Sequence, residues 1–184
     1  MSPEKRREMI VHAVLPLVIE HGAAVTTSQI ARAAGIGEAT VFRAFTDKDE
    51  LLDACIAEAL RPETALDAIA EIPLELPLAE RLVEAADALS AHLTRMGAVL
   101  SALHASGYRR ERKRGSRDGR RESLTAIREA LTDLFTPETD QLRMPPEHLA
   151  VMVTHVLMAR GRSALPDGPT TAQIVDVLLH GAYK

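Results

Sequence analysis

Apolar residues recur at helical spacing along most of this chain. Ile10, Val14, Leu17 and Val18 share one face of a first helix that Ser2 can cap, Pro3 can open and Gly22 can end. Pro16 lies inside that helix, where it removes a backbone donor and crowds the carbonyl of His12, so a kink but no break is expected. Thr26 or Thr27 can cap a second helix that runs to Ala34, and Gly35 can take the left-handed conformation that ends it. A third helix follows almost at once, from about Glu38 to Phe45. Thr46 or Asp47 caps a fourth that reaches about Leu60, with Asp49 and Glu50 in its first turn, where the helix dipole favours them. Arg61-Pro62 ends or kinks it.

From Ala65 to Pro77 the periodicity weakens, and Pro73 and Pro77 punctuate it. This marks the join between an N-terminal domain, 1–60, and a larger one, 61–184. Residues 78–96 read as a long helix, with Leu82, Ala85, Ala86, Leu89 and Leu93 in register, and a shorter one covers 98–108. Leu124, Ile127, Leu131 and Leu134 define a helix over 122–135. Pro145-Pro146-Glu147 opens another to about Arg162, and Thr170 or Thr171 opens the last, to about His180. The predicted class is all-α, about nine helices, with a three-helix helix-turn-helix domain first and a larger helical domain after it.

The last two helices are apolar on more than one side. Leu149, Val153 and Val156 are joined by Met152 and Leu157 in one, and Ile174, Val177 and Leu178 by Val175 and Leu179 in the other. A helix with two apolar sides must bury both. Either the two helices meet a second copy as a four-helix bundle, with Leu149, Val153, Val156, Ile174, Val177 and Leu178 at the interface, or they close a monomeric core.

Composition narrows the choice. The chain is 46% hydrophobic and its single cysteine, Cys55, excludes an internal disulfide, which fits a reducing compartment. The N-terminus has no signal-like cleavage region. Met96 to Tyr108, the longest uncharged run of any apolarity, has 13 residues, short of the roughly 20 needed to span a bilayer. A soluble, cytoplasmic protein with no membrane partner is expected. No P-loop, dinucleotide fingerprint or G-x-S-x-G occurs. His148 and His155 lie seven apart on one helix without a carboxylate or cysteine at ligand spacing, and Cys55 sits within a buried helix pattern. No enzymatic activity, metal or cofactor is therefore expected.

Charge sets a condition on nucleic-acid binding. The chain carries a net −4, and residues 1–60 hold six Lys/Arg against nine Asp/Glu, a net −3. Affinity for DNA must then come from a few placed contacts or from doubling in a dimer. Residues 109–121 hold eight of the 22 basic residues. They read as a solvated loop or frayed helix end, or as an auxiliary patch for phosphates or a partner.

A helix-turn-helix needs small residues where its helices touch, a turn former and apolar pins. Ile30, Ala31 and Ala34, then Gly35, then Ile36, Val41 and Phe45 supply these in order. Glu38, Ala39, Thr40, Arg43 and, partly, Phe42 are left pointing outward, as the residues of a recognition helix do. The segment TTSQIARAAGIGEATVFRAFTDKDELL resembles the DNA-binding domain of TetR-family transcriptional regulators. Thr26/Thr27, Ile30, Ala31, Ala34, Gly35, Ile36, Thr40, Val41, Phe42, Phe45, Lys48, Leu51 and Leu52 fit that family's pattern without a gap.

The resemblance implies roles. Thr27, with Ser28 beside it, and Lys48 would hold phosphates of a double-stranded, palindromic operator. Ala39, Thr40 and Arg43 would meet the major groove, with Arg43 forked onto a guanine or turned to a phosphate, and Ala39 and the Thr40 methyl on a thymine methyl. Glu38 either accepts from a cytosine or complements its own helix dipole. Phe42 stands where the family often has Tyr, so only its packing role is retained. The larger domain would bind a small, largely apolar effector that lowers operator affinity, with Leu89, Leu93, Met96, Leu100, Leu103, Leu124, Ile127, Met152 and His155 as pocket candidates and His92 as a further polar group. The expected function is a homodimeric transcriptional repressor. The alternative is a helical small-molecule-binding or interaction protein that keeps the fold but binds DNA weakly.

Overall fold

The computed structural model describes residues 2–108, 115–162 and 168–182, with the side chains of 115–120, 161–162 and 181–182 excepted. Nine α-helices lie among the described residues: α1 (Pro3–His21), α2 (Thr27–Ala33), α3 (Glu38–Ala44), α4 (Lys48–Ala59), α5 (Glu63–Ala70), α6 (Leu78–Ala105), α7 (Gly115–Phe135), α8 (Pro146–Arg162) and α9 (Thr171–Ala182). Short 3-10 turns cover Gly22–Ala24 and Thr136–Gln141. The all-α class is as expected. The chain divides into two compact units, one of residues 1–60 with 95–116, the other of 61–94 with 117–184.

The first unit is built on α1. Ser2 accepts the Lys5 amide, Pro3 opens the helix, and α1 continues through Pro16 to His21. Ile10, Val11, Val14 and Val18 are buried on one stripe, against Ile30 and Ala31 of α2, Val41 of α3, Phe45, and Leu51, Leu52, Cys55 and Ile56 of α4. Val99 and Leu103, from the end of α6, complete that core. Cys55 is fully buried, and loss of solvation, with the charge of Glu58 second, pushes its thiol up to about 12. It is a small core residue, as its sequence context implies.

Gly22 shows how closely the elements approach within this unit. Its φ is +55°, and a Cβ there would sit 2.4 Å from the Ala102 carbonyl oxygen and 2.4 Å from Ser106 Oγ. The next amide, that of Ala23, donates to Ser106 Oγ at 2.7 Å. The Tyr108 hydroxyl lies 3.2 Å from both the Asp49 carbonyl and Asp53 Oδ1 of α4.

In the second unit, Leu78, Leu82, Ala85, Ala86, Leu89 and Leu93 of α6 are buried, as are Ile127, Leu131 and Leu134 of α7, Leu149, Val153 and Leu157 of α8, and Ile174, Val175 and Leu179 of α9. Arg81 is also completely buried. It donates to the Leu74 carbonyl at 2.9 Å and pairs with Glu138, tying the 71–77 connection and the second 3-10 turn to α6. Thr170 caps α9 in a reciprocal pair with Gln173, and Thr171 Oγ1 donates to Asp87 at 2.6 Å.

Three expected boundaries differ. The weak stretch 65–77 opens within α5, because Ala65 and Ile69 bury one face of an eight-residue helix between two prolines. The predicted helices over 78–96 and 98–108 are one, α6. A glycine in a helix costs about 1 kcal/mol, and burial of Leu89 and Leu93 before Gly97 and of Val99 and Leu103 after it outweighs that. The helix predicted over 122–135 begins at Gly115, within the stretch read as a solvated loop or frayed helix end, while 109–114, and with them most of the basic run, lie outside the described residues.

Candidate nucleic-acid interface

The site begins with the cap of α2. Thr26, not Thr27, is the N-cap. Its Oγ1 accepts the Gln29 amide at 3.2 Å, while Gln29 Oε1 accepts the Thr26 amide at 2.8 Å. Thr27 is thereby the first helical residue, half-buried, with Ser28 exposed beside it. Gly35 takes φ +65° in the turn, with no atom within 4 Å of where its Cβ would be. It is conformation, not crowding, that calls for glycine there.

The turn presents α3. Val41 is 3% exposed and Phe45, just beyond the helix, 2%, so these two pins hold its inner face. Glu38, Ala39, Phe42 and Arg43 are exposed and Thr40 is half-buried. Phe42 is 54% exposed, a large apolar ring on the outer face of a seven-residue helix. Lys48 is the first residue of α4, directly after its cap Asp47, whose Oδ1 accepts the Glu50 amide at 2.7 Å. All eight DNA-contact candidates thus lie in the α2–α3–α4 segment, on two helix starts and one outward face.

Sequence reasoning left out what holds this segment from behind. Arg7 of α1 donates one guanidinium nitrogen to the Ala44 carbonyl and the other to Glu50 Oε1 at 2.7 Å, and its carbon lies 4.2 Å from the centre of the Phe45 ring. Glu50 Oε2 accepts the Thr46 amide at 2.6 Å. A signal existed: Arg7 precedes Ile10 by three and Val14 by seven, so it lies on the buried stripe of its helix.

The Thr46 amide first, and the Arg7 guanidinium second, hold the Glu50 carboxyl down from 4.5 to about 2. The folded chain therefore binds this proton less readily than the unfolded one. The stability that follows is fully present above pH 4.5 and is lost as pH falls from there through about 2. Urea midpoints should fall across that window in the wild type and less steeply in Glu50→Gln; equal slopes would exclude Glu50 as a source.

The effector and dimer candidates fall into separate places. Leu103 and, partly, Leu100 pack into the core of the first unit, and Met96 is half-buried. Leu89, Leu93 and Ile127 are buried in the second unit, Leu124 is half-buried, His92 is buried, and Met152 and His155 are exposed. Among the dimer candidates, Leu149, Val153 and Ile174 are buried, Leu178 is half-buried, and Val156 and Val177 are exposed, Val177 to 72%. A cavity of about 150 Å³ is lined by Leu82, Phe135, Met144, Leu149, Met152, Val153, Val177, Leu178 and Leu179. It joins Met152 to four residues of the predicted partner face.

Among the described residues no group of three His, Cys, Asp or Glu is placed to hold a metal, and no helix is long and apolar enough to cross a membrane. Residues 10–55 match the family model of bacterial regulatory proteins, tetR family. No curated protein matches the chain in sequence. Among solved structures, a transcriptional regulator from Rhodococcus sp. Rha1 is similar at 20% identity and a TM-score of 0.67, over 99% of this chain and 98% of that one. AibR in complex with isovaleryl coenzyme A and operator DNA is similar at 20% identity and 0.54, over 97% and 98%. NalD, the secondary repressor of the MexAB-OprM multidrug efflux pump in Pseudomonas aeruginosa, is similar at 21% and 0.57, over 98% of each chain. Residues 10–55 thus carry the N-terminal domain described for the tetR family of bacterial regulatory proteins, and over its length the chain has the fold of these solved structures.

Proposed function

We propose that this chain is a cytoplasmic, one-component repressor that grips a palindromic operator as a homodimer and releases it when a small, largely apolar effector binds the second unit. The observation that carries the DNA half is the outward face of α3. Glu38, Ala39, Phe42 and Arg43 stand free of the core, between helix starts that offer Thr27 and Lys48 to phosphates. Arg43 reads a base, Ala39 and Thr40 meet a thymine methyl, and the Phe42 ring packs against the groove wall. Two heads are needed because residues 1–60 carry a net −3. Half-sites about 34–36 Å apart follow from a dimer that reads successive turns of one groove.

The partner face is α8 with α9. Val156 is exposed there, as are Met144, Met152 and Val177, which line a cavity that is small beside the roughly 300–1,000 Å³ of ordinary ligand sites. A second copy that covers these side chains suits it better than an effector does. For the effector we propose instead the surroundings of Leu89, Leu93, Leu124 and Ile127, with His92 as the polar group. The AibR complex, which holds a ligand and operator DNA, and the repressor NalD support a ligand-governed repressor.

Selection of duplexes from a random pool, followed by salt titration, tests the assignment. Arg43→Ala should cost about 1–3 kcal/mol and relax preference at one position of each half-site. Lys48→Ala should weaken all duplexes alike and reduce the salt slope by about one for each lysine removed. If the wild type selects no site, a helical ligand-binding protein with weak DNA affinity is the better reading, as the net −3 and the missing Tyr hydroxyl at Phe42 would then suggest.

A further inference from the structure

We infer that Arg7, on α1, is the positioning residue that sets the angle of the recognition helix, and that it does so by geometry and not by touching DNA. The inference rests on the reading of α3 as that helix. A seven-residue helix is marginal alone. Gly37, the residue before α3, provides no side-chain cap, and Val41 and Phe45 fix the depth of α3 better than its roll. The Arg7 fork supplies the missing restraint. One prong holds the carbonyl of Ala44, the last residue of α3, and the other holds Glu50 in the first turn of α4. The guanidinium plane covers the ring of Phe45, the residue between those helices that turns the chain into extended backbone.

A planar group gripping at two ends and stacked on a third side leaves α3 one orientation against α1. Its charge is already matched by Glu50, whose second oxygen is in turn held by the Thr46 amide. Arg7 therefore has no role as a phosphate ligand. Its effect reaches DNA through where Ala39, Thr40 and Arg43 are pointed.

Arg7→Lys isolates this role. Lysine keeps the charge and can hold Glu50, but one ammonium cannot also reach Ala44 in the same fork or stack on Phe45. The probes are a duplex that the full-length wild type selects from a random pool and a scrambled duplex of equal length, measured well below the unfolding temperature. The selected duplex should be bound about tenfold more weakly, a shift of about 1.4 kcal/mol. Affinity for the scrambled duplex and the salt slope should stay at wild-type values. Glu50→Gln, which leaves one acceptor oxygen where the carboxylate offers two and so gives up either the Thr46 amide or the Arg7 prong, should move affinity the same way by less, and it decides the matter if Arg7→Lys does not fold.

Three results would overturn the inference: unchanged affinity for the selected duplex, equal losses on both duplexes with a shallower salt slope, or a loss that appears only where the variant is partly unfolded. The first means that Arg7 does not aim α3, the second that it contacts phosphate, and the third that it only stabilises the fold. A wild type that selects no duplex instead removes the reading of α3 itself, an outcome visible before any variant is made.

Discussion

Gly22→Ala is expected to destabilise the N-terminal unit by about 3 kcal/mol or more, the larger part from overlap with backbone. Its φ of +55° and ψ of −136° form a conformation that residues with a Cβ avoid, at a cost of about 1–3 kcal/mol. The added carbon would also lie 2.4 Å from the Ala102 carbonyl, inside a continuous helix that cannot yield locally. Relief requires α6 to withdraw from the end of α1, which breaks the bond from the Ala23 amide to Ser106. Gly35→Ala is the control. Gly35 also has a positive φ, +65°, but open space around it, so only the left-handed penalty of about 1–2 kcal/mol applies. Urea unfolding of the two variants, followed by a probe in the N-terminal unit, compares them directly. If Gly22→Ala is no worse than Gly35→Ala, close approach is not the reason for glycine at 22.

Glu138→Ala should be comparably damaging in the other unit. Arg81 is completely buried, and Glu138 is its carboxylate partner. Removal of one member of a buried pair leaves a charge without its counter-ion, at a cost of about 3–5 kcal/mol. Because Glu138 retains some exposure, 19% of its side chain, water can enter and the lower end applies. A drop of about 3 kcal/mol lowers the thermal midpoint by about 6–12 °C in a chain of this size. Arg81→Met together with Glu138→Gln should recover most of that, since an apolar side chain of similar length needs no partner. A double variant as unstable as Glu138→Ala alone would show that the packing around Arg81 matters, and not its charge.

How much of this was legible depended on the range of the interaction. The head could be read because its determinants are local. The hydroxyls before α2, the glycine after it and the spacing of Ile30, Val41 and Phe45 all lie within two dozen residues, and each has its own physical signature. Thr26 against Thr27 could have been decided from Gln29, three residues on, which completes a reciprocal cap. Arg7 and Glu50 are 43 residues apart, and Arg81 and Glu138 are 57 apart. No periodicity couples such pairs, although in both cases the arginine lies on the apolar stripe of its helix. The effector candidates were the least legible. An apolar side chain that lines a cavity and one that fills a core obey the same spacing, and Leu103, proposed for the first, belongs to the core of the head. Prolines misled the reading at α5, where Pro62 and Pro73 bracket a helix that they do not prevent.

The last stretch of α6 carries a consequence for how such a head could be moved between proteins. Val99 and Leu103 are buried in the same core as α1 and α4, and Tyr108 and Ser106 hold the same unit by hydrogen bonds. The reading head is thus discontinuous in the gene. A chimera spliced at residue 60 would inherit every candidate DNA-contact side chain, yet arrive with an open wound where Val99 and Leu103 belong. A graft that travels intact must bring the segment 95–108 with it, or find in the recipient a helix end shaped to take its place.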